Sequence, residues 1–387
     1  MKNLKIFILT LGVFSIINTE MGVIGILPMI AEHYQVSITT AGLLVSMFAL
    51  AVAVAGPTMP LLFSGMNRKY AMIMVLSIFT VCNVVSAFSP NFILTLIARV
   101  LPAFFHPVYV SLAFSVAGGS VTPDKAPQAV SKVMMGVSAG MVLGVPIVSF
   151  IANLTSLMVA MIFFAAVNAI ALLITVLFIP TSPVEHKLSY GEQLRVLKES
   201  HTWISIIGVM LLNGAIFGVY SYISQYLTSV TEMTTGTISI ILFIYGMANI
   251  IGNAIAGKLL SHRPIRFILT SFIGLAGLYV FQTILGDISF ATTLIIFVWG
   301  ILAGCVGNIN QYWMSTAVPH APDFANGLFL AATNLGTTVG TTLCGTVITS
   351  IGISLIFLGG LTMLALSAVF ILIRVCTTDE INKVVEV

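Results

Sequence analysis

Residues 98–111 read ARVLPAFFHPVYVS, and Arg99 and His106 are the only basic side chains in the apolar run around them. A run of this length is that of a helix crossing a bilayer, about 20 residues long. An ionisable side chain at such depth needs a partner, a route to the surface or a wet cavity, so both residues mark a functional site. Seven residues separate them, which on an unbroken helix places both near one face and about 10 Å apart along the axis. Pro102 and Pro107 interrupt that helix and free carbonyls that neighbouring groups or water must satisfy.

The chain around this stretch has 387 residues, of which 58% are hydrophobic and only 7% charged. Soluble domains carry about 25% charged residues, so a water-soluble globule is excluded. The long apolar runs also exclude a β-barrel. A net charge of +3 is spread over short loops and forms no basic patch, so no nucleic-acid partner is expected. Cys82, Cys305, Cys344 and Cys376 lack metal-ligand spacing and are read as packing residues, with neither zinc nor disulfides expected. Lys2 and Lys5 precede a stretch too long for a signal peptide and without a small-residue cleavage site, which is read as the first span. No phosphate-binding Gly-Lys-Ser/Thr loop, zinc-binding His-Glu-x-x-His helix or Gly-x-Ser-x-Gly elbow occurs. ATP-driven or enzymatic chemistry is therefore not expected.

Hydropathy places spans near 4–27, 38–62, 70–88, 92–117, 130–152, 157–179, 203–227, 236–260, 266–285, 289–315, 324–350 and 353–375. The fold class is thus an all-α integral membrane protein with twelve transmembrane helices. Residues 1–180 are expected to form one six-helix bundle, 181–202 a cytoplasmic linker with a surface helix, and 203–387 a second bundle with a short tail. Of the fifteen lysines and arginines, all but Arg99 fall on the side that carries both termini, which is therefore expected to be cytoplasmic. Segments about 200 residues apart resemble each other: Pro123-Asp124 matches Pro322-Asp323, and Gly136 and Gly140 match Gly336 and Gly340. Two pseudo-symmetric halves follow.

Three ionisable residues lie deep in the expected hydrocarbon region: Glu20, Arg99 and His106. Glu20 and Arg99 fall at similar depth, about 10 Å from the outer face, and are candidates for an ion pair; His106 falls nearer the midplane. Parting Glu20 from Arg99 would change its proton affinity, a basis for proton coupling. The alternative is a fixed structural pair. Gly136, Gly140, Gly144 and Pro146, with Gly336 and Gly340, allow close helix approach and are expected at seams between the bundles, or in ordinary packing. The second half has no expected buried charge but carries amides, Asn213, Asn249, Asn253, Asn308, Asn310, Gln311 and Asn334. Asn334, Tyr222, Asn213, Phe105 and Tyr109 are the substrate-binding candidates. Tyr220, Tyr222 and Tyr226 form either an interfacial belt or a substrate wall.

These residues resemble the major facilitator superfamily, and within it the twelve-helix drug:proton antiporters of the bacterial sugar-efflux, arabinose-efflux and purine-efflux branch. The resemblance covers essentially the whole chain. It is carried by Asn18-Thr19-Glu20 with Gly25-Ile26-Leu27-Pro28, by Ala41-Gly42-Leu43-Leu44-Val45-Ser46, by Ala98-Arg99 with His106, and by GVSAGMVLGVP at 136–146. The loop Ser64-Gly65-Met66-Asn67-Arg68-Lys69 departs from the family pattern in lacking an aspartate. The resemblance implies proton-driven export by alternating access around a central cavity, with Glu20 and His106 as protonation sites, Arg99 as the motif arginine and Asn334 as a polar cavity residue. The expected function is a proton-coupled efflux antiporter for a sugar, a purine or nucleoside, or an amphipathic drug. A broad multidrug exporter and a facilitator or symporter are the alternatives, with a membrane receptor or enzyme as a distant one. No cofactor is expected beyond the proton gradient, and the partners are the solute, protons and lipid. The expected setting is the bacterial inner membrane, as a monomer.

Overall fold

The structure is a computed structural model and describes residues 2–181 and 190–377. All regular elements among the described residues are helical, as the sequence indicates. The N-terminal part runs through α1 (Lys2–Gly22), α2 (Leu27–His33), α3 (Ile38–Ala41), α4 (Leu43–Phe63), α5 (Arg68–Ala87), α6 (Phe92–Ala103), α7 (His106–Gly119), α8 (Ala126–Leu154) and α9 (Leu157–Phe178). It continues through α10 (Tyr190–Arg195), α11 (Ser200–Tyr220), α12 (Ile223–Ser229), α13 (Thr235–His262), α14 (Pro264–Leu285), α15 (Ser289–Ala317), α16 (Pro322–Ile351) and α17 (Ile356–Thr377).

Eleven helical segments among the described residues are long and apolar enough to cross a membrane. The twelfth crossing is α16, whose 30 residues reach about 45 Å. It is rich in threonine, yet Thr337, Thr338, Thr342 and Thr346 donate to the carbonyls of Thr333, Asn334, Thr338 and Thr342 one turn back. Hydroxyls bonded in this way present no free polar group to lipid.

Several crossings are broken rather than straight. The first passes from α1 through a 3-10 turn, Val23–Ile26, into α2, with Pro28 in the first turn of α2, where a missing N–H costs nothing. It therefore extends to His33, beyond the expected end at residue 27. In the fourth, α6 ends at Ala103 and α7 begins at His106, between the two prolines that the sequence marks as breakers. Asn67 caps α5 by accepting a hydrogen bond from the Lys69 amide at 3.0 Å, which accounts for an amide in that loop. Of the expected linker, residues 182–189, including Glu185, His186 and Lys187, lie outside the described residues, as does the tail from 378 with Lys383.

The described residues divide into two compact units, one of residues 2–181 and 190–193 with 321–330, the other of 194–320 with 331–377. In the first, α8 lies directly on α1: a Cβ on Gly136 would meet the Thr10 carbonyl at 2.5 Å, and one on Gly140 would meet Ile17 at 2.8 Å. Gly144 faces Asn18 Oδ1 in the same seam. In the second, Gly336 and Gly340 of α16 bring it against the carbonyls of Met210 and Gly214 of α11. These glycines thus pack helices within a unit, the ordinary-packing alternative rather than seams between bundles: each faces the first membrane-crossing helix of its own unit. Pro146 sits inside α8 on an exposed face.

Candidate functional site

Glu20 lies two residues before the end of α1, where the helix tightens into the 3-10 turn. Its Oε2 is 3.4 Å from His106 Nε2, with side-chain exposures of 15% for Glu20 and 4% for His106. The break between α6 and α7 makes His106 the first residue of a new helix and turns its ring toward α1. Phe48 of α4 packs edge-on against that ring with centroids 6.3 Å apart. His106 Nδ1 is buried and has no hydrogen-bond partner.

Arg99 makes no direct salt bridge to Glu20, although the two charges still interact at longer range. Its Nη2 donates to the Thr19 carbonyl at 2.6 Å, and its guanidinium stands 5.7 Å from the Phe164 ring centre. The expected ion pair and the separation of Arg99 with Glu20 from a deeper His106 are both corrected. Depth counted along two separate helices puts Glu20 and Arg99 level, but the broken fourth crossing turns His106, not Arg99, toward the carboxylate.

The backbone before Glu20 is held from several sides. Thr19 Oγ1 accepts from Asn168 Nδ2 of α9 at 2.8 Å and from Asn83 Nδ2 of α5 at 3.2 Å, and itself donates to the Ser15 carbonyl. Asn168 also donates to the carbonyls of Ser15 and Phe164. Sequence reasoning did not single out Thr19, Asn83 or Asn168 as a set; the available signal was amides in the middle of otherwise apolar spans.

The substrate-binding candidates fall in different surroundings. Phe105, half-buried, caps α7 and packs edge-on against Phe63 at 6.0 Å. Tyr109 is fully buried, its hydroxyl pressed against Gly12 of α1, so it lines no open surface of the first unit. Asn213 donates to the Thr333 carbonyl at 2.7 Å and to Thr337 Oγ1 at 3.0 Å, joining α11 to α16. Tyr222 donates to the Thr341 carbonyl, and Asn334 is half-buried in the same helix. Tyr226 is buried and donates to the Gln282 carbonyl, while Tyr220 stacks on Tyr245 at 4.7 Å. Tyr220 and Tyr222 are half-buried, whereas Tyr226 is buried inside the second unit. Asn308 donates to Asn253 Oδ1 at 2.6 Å, tying α15 to α13.

The expectation of no buried charge in the second half is also corrected. Arg374 of α17 is 4% exposed and donates to the Trp313 carbonyl at 2.6 Å and Thr316 Oγ1 at 3.0 Å, above the Trp313 ring. Its place at a span end reads as a snorkelling surface cation, but the last turn of α15 captures it. Asp323 is buried as well, in the first unit, where its carbonyl accepts from Ser111 Oγ.

A model of the Major Facilitator Superfamily matches residues 9–330. The chain belongs to the major facilitator superfamily. Relatives within this superfamily include an uncharacterized MFS-type transporter, YtbD, of Bacillus subtilis, 33% identical over 91% of each chain. The inner membrane transport protein YdhP of Escherichia coli K12 is 29% identical over 90% of each chain. A probable sugar efflux transporter of Helicobacter pylori is 24% identical over 94% of this chain and 93% of that one. In structure the chain is similar to the human organic anion transporter MFSD10, with a TM-score of 0.79, 14% identity, and coverage of 95% of this chain and 99% of that one. That likeness speaks for the fold. The major facilitator chain is therefore a multi-pass membrane transporter, not an enzyme.

Proposed function

We propose that the protein is a proton-coupled efflux antiporter of the bacterial inner membrane, exporting a small polar organic solute by alternating access, with both termini in the cytoplasm. The observation that carries this reading is the Glu20–His106 pair, a carboxylate and an imidazole 3.4 Å apart in the interior of the first unit. A proton shared between two such groups changes the charge of the pair, and a charge change in a low-dielectric interior shifts the balance of conformations. Arg99 holds the Thr19 carbonyl and thereby the backbone next to Glu20. The proton gradient is the energy source. The name of the Helicobacter relatives supports a sugar among the candidate solutes, and Asn334, Tyr222 and Asn213 are the second unit's substrate candidates.

The test is transport by purified protein in vesicles loaded with a pH-sensitive dye, against arabinose, lactose, inosine and ethidium. One of these moving down its gradient drives protons the opposite way in the native protein. Glu20→Gln still gives the thermal shift on binding that solute but moves no protons. Solute flux without proton flux in the native protein replaces antiport by facilitation, and ethidium as the moving solute establishes the multidrug alternative.

A further inference from the structure

Inside the first unit a row of buried polar atoms descends from Glu20 toward the face where the chain begins. His106 Nδ1 is the first and the Tyr109 hydroxyl, one turn further along α7, is the second. Tyr109 rests against Gly12, eight residues or about 12 Å along α1 from Glu20. Its hydroxyl meets the Thr175 hydroxyl of α9, and the two are polar partners of each other. Thr175 lies three residues before the end of α9, and the next carbonyl, Val176, accepts from the Lys69 ammonium at an exposed position at 2.8 Å.

Buried polar atoms without partners are rare, and water is what usually satisfies them. The unpartnered His106 Nδ1 and the Tyr109–Thr175 hydroxyl pair, lying between a carboxylate–imidazole pair and a solvated lysine, mark a route. We propose that the first unit contains its own hydrated proton-release path, Glu20 to His106 to Tyr109 to Thr175, opening on the face that carries the N-terminus. This rests on the antiport reading of Glu20 and goes beyond it: release to that face then proceeds through the interior of the unit. The Glu20 carboxyl proton binds His106 Nε2, and the imidazolium so formed releases its Nδ1 proton to water. The water passes a proton to the Tyr109 hydroxyl, which takes it on a lone pair as its own proton leaves for water at Thr175. Exchange of the Nε2 proton for one on Nδ1 through water restores the first tautomer, and every group regains its starting charge except Glu20, which is left as the carboxylate until it is protonated again from the opposite face.

The other charged or titratable groups on the packed helices are few. Arg99 of α6 is bonded to the Thr19 carbonyl, Arg68, Lys69 and Tyr70 lie in the first turn of α5 with Cys82 further along it, Lys132 near the start of α8 and Lys2 and Lys5 near the start of α1, while α4 and α9 carry none.

The test uses the full-length protein in vesicles of defined orientation, with the protonated-carboxyl infrared band followed after a pH jump. The band that Glu20→Gln removes reports Glu20 directly. For a jump on the N-terminal face, Tyr109→Phe is expected to slow its change about a hundredfold with unchanged final amplitude, and Thr175→Val to slow it similarly. A jump on the opposite face leaves the rate of both variants native. Native rates for both variants on the N-terminal face overturn the path while leaving Glu20 as the coupling group. Absence of any Glu20 band in the native protein overturns the coupling reading and the path together.

Discussion

At Thr19 one hydroxyl and one carbonyl meet side chains from three other helices, Asn83, Arg99 and Asn168. Thr19→Val keeps the shape and the carbonyl but leaves two amides short of an acceptor. Buried hydrogen bonds between membrane helices are worth about 1 kcal/mol, and Asn168 keeps its bonds to Ser15 and Phe164, so a loss of about 1–2 kcal/mol is expected. Reversible unfolding in mixed detergent micelles measures it, and an unchanged midpoint would make the node incidental. Glu20, Arg99 and His106 stood out in the sequence at this scale, because an ionisable group in hydrocarbon has few innocent explanations. Their pairing did not. It depends on how each helix is rotated about its own axis, and apolar residues on nearly every face of a buried helix leave that rotation unwritten.

Helix contacts turn on backbone approach. A Cβ on Gly136 would fall 2.5 Å from a backbone carbonyl of α1, which cannot swing aside as a side chain would. Gly136→Ala is therefore expected to destabilise the protein by about 1–3 kcal/mol through forced separation of α8 from α1. Gly277 of α14 has nothing within 4 Å of the same position, so Gly277→Ala is expected to be neutral or mildly stabilising, since alanine favours helix. Thermal unfolding of the pair in one detergent compares them, and equal losses would refute the close-approach account. The glycine spacing announced a close contact in the sequence, and the prolines announced the break between α6 and α7. The identity of the partner helix was illegible because Gly-x3-Gly specifies a flat surface and nothing about what lies on it.

For the whole molecule, the distribution of lysine and arginine predicts an orientation that native cysteines can report. Cys82, Cys305 and Cys344 are buried, whereas Cys376 is exposed near the end of α17. A membrane-impermeant maleimide is expected to label Cys376 in inside-out vesicles and not in intact cells, and the reverse pattern would invert the topology. Crossings were readable over almost the whole chain because the thickness of hydrocarbon demands long apolar runs. The weakest of them is α16, whose hydroxyls are satisfied only once its helix exists. During synthesis that segment leaves the translocon with a poor partition into lipid by composition alone. Its insertion then leans on α11, whose backbone it meets at Gly336 and Gly340, so the order in which the ribosome delivers these helices becomes part of how the protein reaches its final topology.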